Sequence, residues 1–201
     1  MTLKTTKLLK LVMEGTNMTD LRIKKTDAII STSFVDLVLE KGFDNVTVKD
    51  IASRSMINRK TFYAHYEDKF ALTDKIGQDI LNWFTKTLQK RASLLNQGVT
   101  LSNAISKIEQ ELRQLLIHWN RPIKAIMTIP EARIQLIDGL KGILEMQLQA
   151  VLAHPGSELE VNAIGGIMLG MIKYYLQTNS LPSQEELKQL SNSLVLIFGE
   201  S

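Results

Sequence analysis

Residues 47–69 read Thr-Val-Lys-Asp-Ile-Ala-Ser-Arg-Ser-Met-Ile-Asn-Arg-Lys-Thr-Phe-Tyr-Ala-His-Tyr-Glu-Asp-Lys. Thr47 and Asp50 have the spacing of a capping box, in which the hydroxyl accepts an orphan amide and the carboxylate sits at the positive end of a helix. A helix is therefore predicted from about Val48. Ser53 and Ser55 weaken it and Asn58 offers a second cap, so it ends by Ser55. Two short helices joined by a tight turn result. On the second, Phe62 and Tyr66 lie four apart on one face, while Arg59, Lys60 and Tyr63 fall on the other. One face is anchored, and the other carries two cations and a phenol outward.

That division suits the reading of a DNA duplex. An α-helix fits the major groove, and side chains near its N-terminus reach base edges, Arg or Lys to guanine and Asn to adenine. Asn58, Arg59 and Lys60 stand there, Asn58 being equally suited to capping. A plain solvated amphipathic helix is the bland alternative for a lone basic pair.

From about Thr26 to Leu72 the chain resembles the TetR family of bacterial transcriptional regulators. The matching residues are the Phe34 helix, Lys41-Gly42-Phe43, Thr47-Val48, Asp50-Ile51-Ala52, Ile57, Thr61-Phe62-Tyr63, His65-Tyr66 and Asp68-Lys69. The resemblance implies an all-α homodimer of about nine helices per chain. An N-terminal three-helix helix-turn-helix domain binds DNA, and a C-terminal helical bundle dimerises and senses a small ligand. It further implies that Arg59, Lys60 and Tyr63 face bases, with Asn58 placed to serve either as cap or as base reader, and that Thr47, Lys49, Thr61, His65 and Lys69 face the phosphate backbone. Ordinary alternatives stand beside two of these: a surface histidine at 65 and a solvated lysine at 49.

Composition agrees with this division. Among 201 residues there are four prolines, eleven glycines and no cysteine, which permits long helices and excludes disulfides, thiolate metal sites and a cysteine nucleophile. Residues 1–90 hold 15 Lys+Arg against 11 Asp+Glu, net +4, and residues 91–201 hold 9 against 10, net −1. The basic excess lies with the duplex reader. The longest charge-free apolar run, Val161 to Ile172, is too short to span a bilayer, and Lys10 and Glu14 interrupt any signal-like segment. A cytoplasmic protein is expected.

Residues 1–20 read as an extension that frays or docks poorly, weakly basic through Lys4, Lys7 and Lys10, with Met18 a second candidate start. Residues 21–70 form the helix-turn-helix domain and 71–201 the sensing and dimerisation domain. The first firm helix is predicted over Lys24–Glu40, ended by Gly42, and a linking helix over Asp68–Leu95, closed by Asn96-Gln97-Gly98. A helix over Leu101–Trp119 is stopped by Asn120-Arg121-Pro122. A short helix to Met127 follows, and then one from Pro130 to about Leu152 that breaks at His154-Pro155-Gly156. Ser157 with Glu160 and Ser183 with Glu186 cap the last two helices.

Gly165, Gly166 and Gly170 each cost a helix about 1 kcal/mol, which implies close approach by a neighbour. With Leu169, Leu190, Leu194 and Ile197 they are assigned to an isologous four-helix dimer interface, the alternative being an ordinary monomer core. Trp83, Phe84, His118, Trp119, Met127, Arg133, Met146 and Tyr174 are the candidates for a mostly apolar effector pocket.

No catalytic constellation, metal-ligand spacing or phosphate-binding glycine loop occurs, so neither an enzyme nor a cofactor is expected. Two functions remain. The first is a ligand-responsive repressor acting as a homodimer on a palindromic operator of double-stranded DNA. The second is a coactivator or partner-controlled regulator of the same fold, whose C-terminal domain binds a protein. An exposed apolar patch against an enclosed pocket discriminates the two.

Overall fold

The computed structural model describes residues 3–96, 119–151, 157–180 and 182–198. Helix α1 runs unbroken over Leu3–Lys41 and does not begin at Lys24. No proline interrupts this segment and Gly15 is its one glycine, so nothing in the backbone chemistry stops the helix from continuing. Its end is as expected: Gly42 has φ 79° and donates its N–H to Val38 O at 2.9 Å. Phe43 folds back, edge-on to Phe34 with centroids 6.2 Å apart. A 3-10 turn (Phe43–Asn45) then leads to α2 (Val48–Arg54), α3 (Arg59–His65) and α4 (Lys69–Asn96). Residues 119–127 form α5, followed by α6 (Pro130–Val151), α7 (Glu158–Thr178) and α8 (Gln184–Phe198). Among the described residues there is no strand, and the fold is all-α.

Asn120, Arg121 and Pro122 lie inside α5 and do not form a stop. Proline's fixed φ is itself helical, and Pro122 sits in the first turn of the described segment, where a missing N–H is tolerated. The helix predicted over 101–119, apart from Trp119, lies outside the described residues. So do Gly98, His118 and the His154-Pro155-Gly156 break.

The chain divides into two compact units, residues 1–79 with 121–133 and residues 80–120 with 134–201. In the first, α1 packs on the 3-10 turn and on α2, and α2 packs on α3. Ile30, Phe34, Val46, Ile51, Phe62 and Leu72 are fully buried, each large side chain contributing roughly 1.5–3 kcal/mol. Among the ion pairs that tie elements to α1 are Arg54 to Glu40, and Arg121 of α5 to Asp36 at 2.7 Å.

In the second unit, Ile80, Leu136, Leu140, Leu144, Val161 and Tyr175 are buried. The capping box of Ser157 and Glu160 forms, with reciprocal bonds of 2.7 and 3.3 Å, and that of Ser183 and Glu186 forms at 2.8 and 3.2 Å. Among the described glycines the closest approach lies at Gly139, where a Cβ would come within 2.5 Å of Leu81 Cδ1. At Gly165 a Cβ would make ordinary contact with Leu144, and at Gly166 and Gly170 it would meet nothing. The neighbour expected beside those two glycines is thus not supplied by the described residues.

Candidate nucleic-acid interface

The reading unit is built from two caps and a turn. At the start of α2, Thr47 Oγ1 accepts the Asp50 N–H at 3.2 Å, and Asp50 Oδ2 accepts from the Thr47 N–H at 2.9 Å and from Lys41 Nζ at 2.8 Å. The Lys41 ammonium and the Thr47 donors hold the Asp50 carboxyl well below the usual carboxylate range. Helix α2 ends in a Schellman motif, with Ile57 N–H on Ala52 O at 3.0 Å and Met56 N–H on Ser53 O at 3.2 Å. Met56 takes the left-handed position, with φ 54° and 94% exposure.

Asn58 caps α3. Its Oδ1 accepts the Thr61 N–H at 2.7 Å and the Thr61 hydroxyl at 3.0 Å, which leaves its amide N–H groups for any ligand. Beyond the cap, the two faces of α3 separate as the periodicity requires. Phe62 and Tyr66 are buried, whereas Arg59, Lys60 and Tyr63 are exposed. The Arg59 guanidinium carbon stands 6.0 Å from the centre of the Tyr63 ring, and that ring meets Phe62 edge-on at 5.7 Å. Tyr63 thus braces the Arg59 cation against the core. Thr47, Lys49 and Lys60 are exposed on the same unit.

This arrangement of helix, Schellman turn and capped basic helix spans a segment that known proteins share. Residues 35–76 match the model of the bacterial regulatory proteins of the tetR family. Residues 35–76 thus carry a helix-turn-helix segment of the TetR kind. The proteins that share this segment are DNA-binding transcriptional regulators and not enzymes. The chain is 26% identical over 161 residues to the uncharacterized HTH-type transcriptional regulator YdeS of Bacillus subtilis, covering 74% of this chain and 76% of that one. The fold is similar to that of a TetR transcriptional regulator from Streptococcus agalactiae (TM-score 0.56, 18% identity, 90% and 98% coverage). It is similar as well to NalD of Pseudomonas aeruginosa, the secondary repressor of the MexAB-OprM multidrug efflux pump (TM-score 0.56, 19% identity, 88% and 97% coverage).

Lys69 and His65, which the TetR resemblance places at phosphates, are engaged with distant parts of the chain. Lys69 opens α4 and donates from Nζ to Phe43 O and Val46 O, both at 2.9 Å, and more weakly to Asp44 O at 3.4 Å. The same ammonium sits 4.3 Å from the centre of the Phe43 ring. It closes the C-terminal end of the 3-10 turn, a role lysines favour at helix ends. His65, with its side chain 14% exposed, bonds through Nδ1 to Asp27 Oδ1 at 2.6 Å. Because an ionised carboxylate only accepts, the ring nitrogen is the donor. The Tyr66 hydroxyl donates to the same oxygen at 3.3 Å. Burial, with the Asp27 charge beside it, pushes the Tyr66 phenol up to about 12, so it remains a donor.

The effector-pocket candidates are dispersed. Trp83 and Phe84 are buried and stack edge-on at 4.6 Å, and Trp119 is half-buried. Met127 is half-buried in the first unit, while Arg133 and Met146 are exposed. Tyr174 points its hydroxyl at Glu186 Oε1, 2.7 Å away, across to the start of α8. Its neighbour Tyr175, which sequence reasoning passed over, is the inward one. Tyr175 is 4% exposed, and its hydroxyl, like Trp83 Nε1, is buried with no hydrogen-bond partner among the described residues. A cavity of about 10 Å³, room for roughly one water, is lined by Ile137, Leu140, Leu144, Gly165 and Leu169.

Of the interface candidates, Gly166, Gly170, Leu190 and Ile197 are exposed, Leu169 is half-buried and Gly165 is buried against α6. The side chain of Leu194 lies outside the described residues. Val195, Leu196 and Ile197 are consecutive and all well exposed on α8. No helix among the described residues is long and apolar enough to cross a membrane.

Proposed function

We propose that this protein is a sequence-specific repressor that binds a palindromic operator as a homodimer and releases it when a small molecule enters the C-terminal unit. The observation that carries the reading is α3, a helix fixed by Phe62 on one side that offers Arg59, Lys60 and Tyr63 to a major groove on the other. Asn58 caps this helix and lends its amide to the same surface. Thr47, Lys49 and Thr61 flank it on the phosphate side.

Dimerisation is supported by the uncovered apolar side chains of α7 and α8, Ile167, Leu187, Leu190, Leu196 and Ile197 among them, together with the open surface at Gly166 and Gly170. An effector is supported by the hydroxyl of Tyr175 and the indole N–H of Trp83, buried and without a partner among the described residues, since such groups are what a ligand would satisfy. Work on a chromosome places such a protein in the cytoplasm.

The test is in vitro selection from a randomised duplex pool, followed by sedimentation of the complex. A two-fold symmetric sequence with half-sites about one helical turn apart is expected, bound by two chains. Enrichment of no sequence, or binding by a single chain, would sink the proposal.

A further inference from the structure

The contact between His65 and Asp27 joins the end of the reading helix to α1, and it fixes the hydrogen-bonding state of the imidazole. We infer that Asp27 is a positioning residue for DNA binding, holding His65 so that its second nitrogen captures a backbone phosphate only when the ring carries two protons. The inference rests on the DNA-binding reading above and deepens it.

The chemistry follows from the inventory of donors. Asp27 Oδ1 lies 2.6 Å from Nδ1, so Nδ1 keeps its hydrogen and gives it to the carboxylate. In the neutral ring the remaining nitrogen, Nε2, is then a bare lone pair, which repels a phosphate oxygen. Nε2 makes no hydrogen bond among the described residues. A phosphate can dock there only if Nε2 takes a proton from solvent, after which Nδ1–H points at Asp27, Nε2–H points at the phosphate, and a cation lies between two anions. No covalent bond other than that N–H is made or broken.

His65 meets Asp27 of α1 and the Tyr66 ring, and around the Tyr66 hydroxyl, which shares Asp27, stand Ser31 of α1 and Asp79 of α4, itself paired with Lys75. Tyr66 stays a neutral donor to Asp27. Asp27 at one ring nitrogen and a phosphate at the other are two acceptors that a ring with two N–H groups satisfies together. DNA binding then takes up as much as one proton per chain.

The experiment is calorimetric titration of the full-length protein with a duplex selected by the wild-type protein, in buffers of different ionisation enthalpy, with affinity measured across pH 6 to 8. Proton uptake is expected for the wild type, with affinity rising as pH falls, by up to about tenfold per pH unit for each chain. His65→Gln, which offers one neutral donor, should abolish the uptake. Asp27→Asn, nearly isosteric, should keep the fold and thermal melt while reducing the uptake, because an amide no longer stabilises the cation. A purely structural tie would alter stability and leave proton uptake unchanged. Binding with no proton uptake, or uptake that persists in His65→Gln, overturns this inference alone. A wild-type protein that binds no duplex at any pH overturns it together with the reading on which it rests.

Discussion

Arg54 meets Glu40 fork to fork, with Nη1 2.8 Å from Oε1 and Nη2 2.6 Å from Oε2. The pair pins the last turn of α2 to the last turns of α1, and the guanidinium lowers the Glu40 carboxyl below its usual range. Arg54→Glu should lower the melting temperature, by like-charge contact with Glu40. The swapped double variant, Glu40→Arg with Arg54→Glu, should recover most of the loss. Thermal melts of the three proteins decide the matter, and a double variant no better than the single one would show that the geometry and not the charge is what counts.

Met56 holds a left-handed backbone with its side chain in solvent. A residue with a Cβ pays about 1–2 kcal/mol there, and glycine gives back part of that through its freer unfolded chain. Met56→Gly is therefore expected to stabilise the protein by about 0.5–1 kcal/mol in denaturant titration, and Met56→Val to destabilise it.

Lys69 provides the contrast with Lys49, which is exposed. Lys69→Met removes a charged donor from the carbonyls of Phe43, Asp44 and Val46, at a cost of about 1.5–3 kcal/mol in stability. Lys49→Ala should leave stability unchanged and reduce the salt dependence of DNA binding by about one phosphate contact. Equal stability of Lys69→Met and wild type would return Lys69 to the list of free phosphate ligands.

The cap of α8 makes stability sensitive to acid. Glu186 accepts from the Tyr174 hydroxyl and then from Ser183, and its carboxyl is lowered from 4.5 to about 2. Because the folded form holds its proton less tightly, the unfolded chain binds it first as pH falls. The contribution is whole above the ordinary 4.5 and disappears as pH drops toward about 2. Glu186→Gln should flatten the loss of melting temperature over that window, and an unchanged acid profile would exclude the cap as its source.

Gly166 and Gly170 test the dimer. In a lone chain, alanine at either position meets open space and should stabilise α7 by about 1 kcal/mol through helix propensity. Against a closely packed second copy, the same change should weaken association, and Gly166→Leu should abolish it. Sedimentation and the concentration dependence of the melting temperature separate the two outcomes.

The caps at Thr47, Asn58, Ser157 and Ser183 were legible because each is a local pattern, three residues from hydroxyl or amide to partner. The face division of α3 was legible for the same reason, with helical period placing Phe62 inside and Arg59 outside. What escaped was set by distance along the chain or by the absence of a marker residue. Met56 occupies a position that glycine usually advertises. Lys69 finds its carbonyls more than twenty residues upstream and His65 finds Asp27 at a separation of 38, so both looked free. Gly139 matters through Leu81, on another helix, whereas the glycine cluster of α7 drew the eye instead. Between Tyr174 and Tyr175 a single step of helical phase decides which hydroxyl faces inward, and the periodicity around three glycines was too weak to fix it.

Lys69 is the first residue of α4, and what it grips is the loop that opens the helix-turn-helix. A torque applied to the start of α4 is therefore delivered straight to that loop, through a three-pronged ammonium lying on the face of Phe43. A bend at that joint must first unfasten the lysine from the carbonyls of Phe43 and Val46.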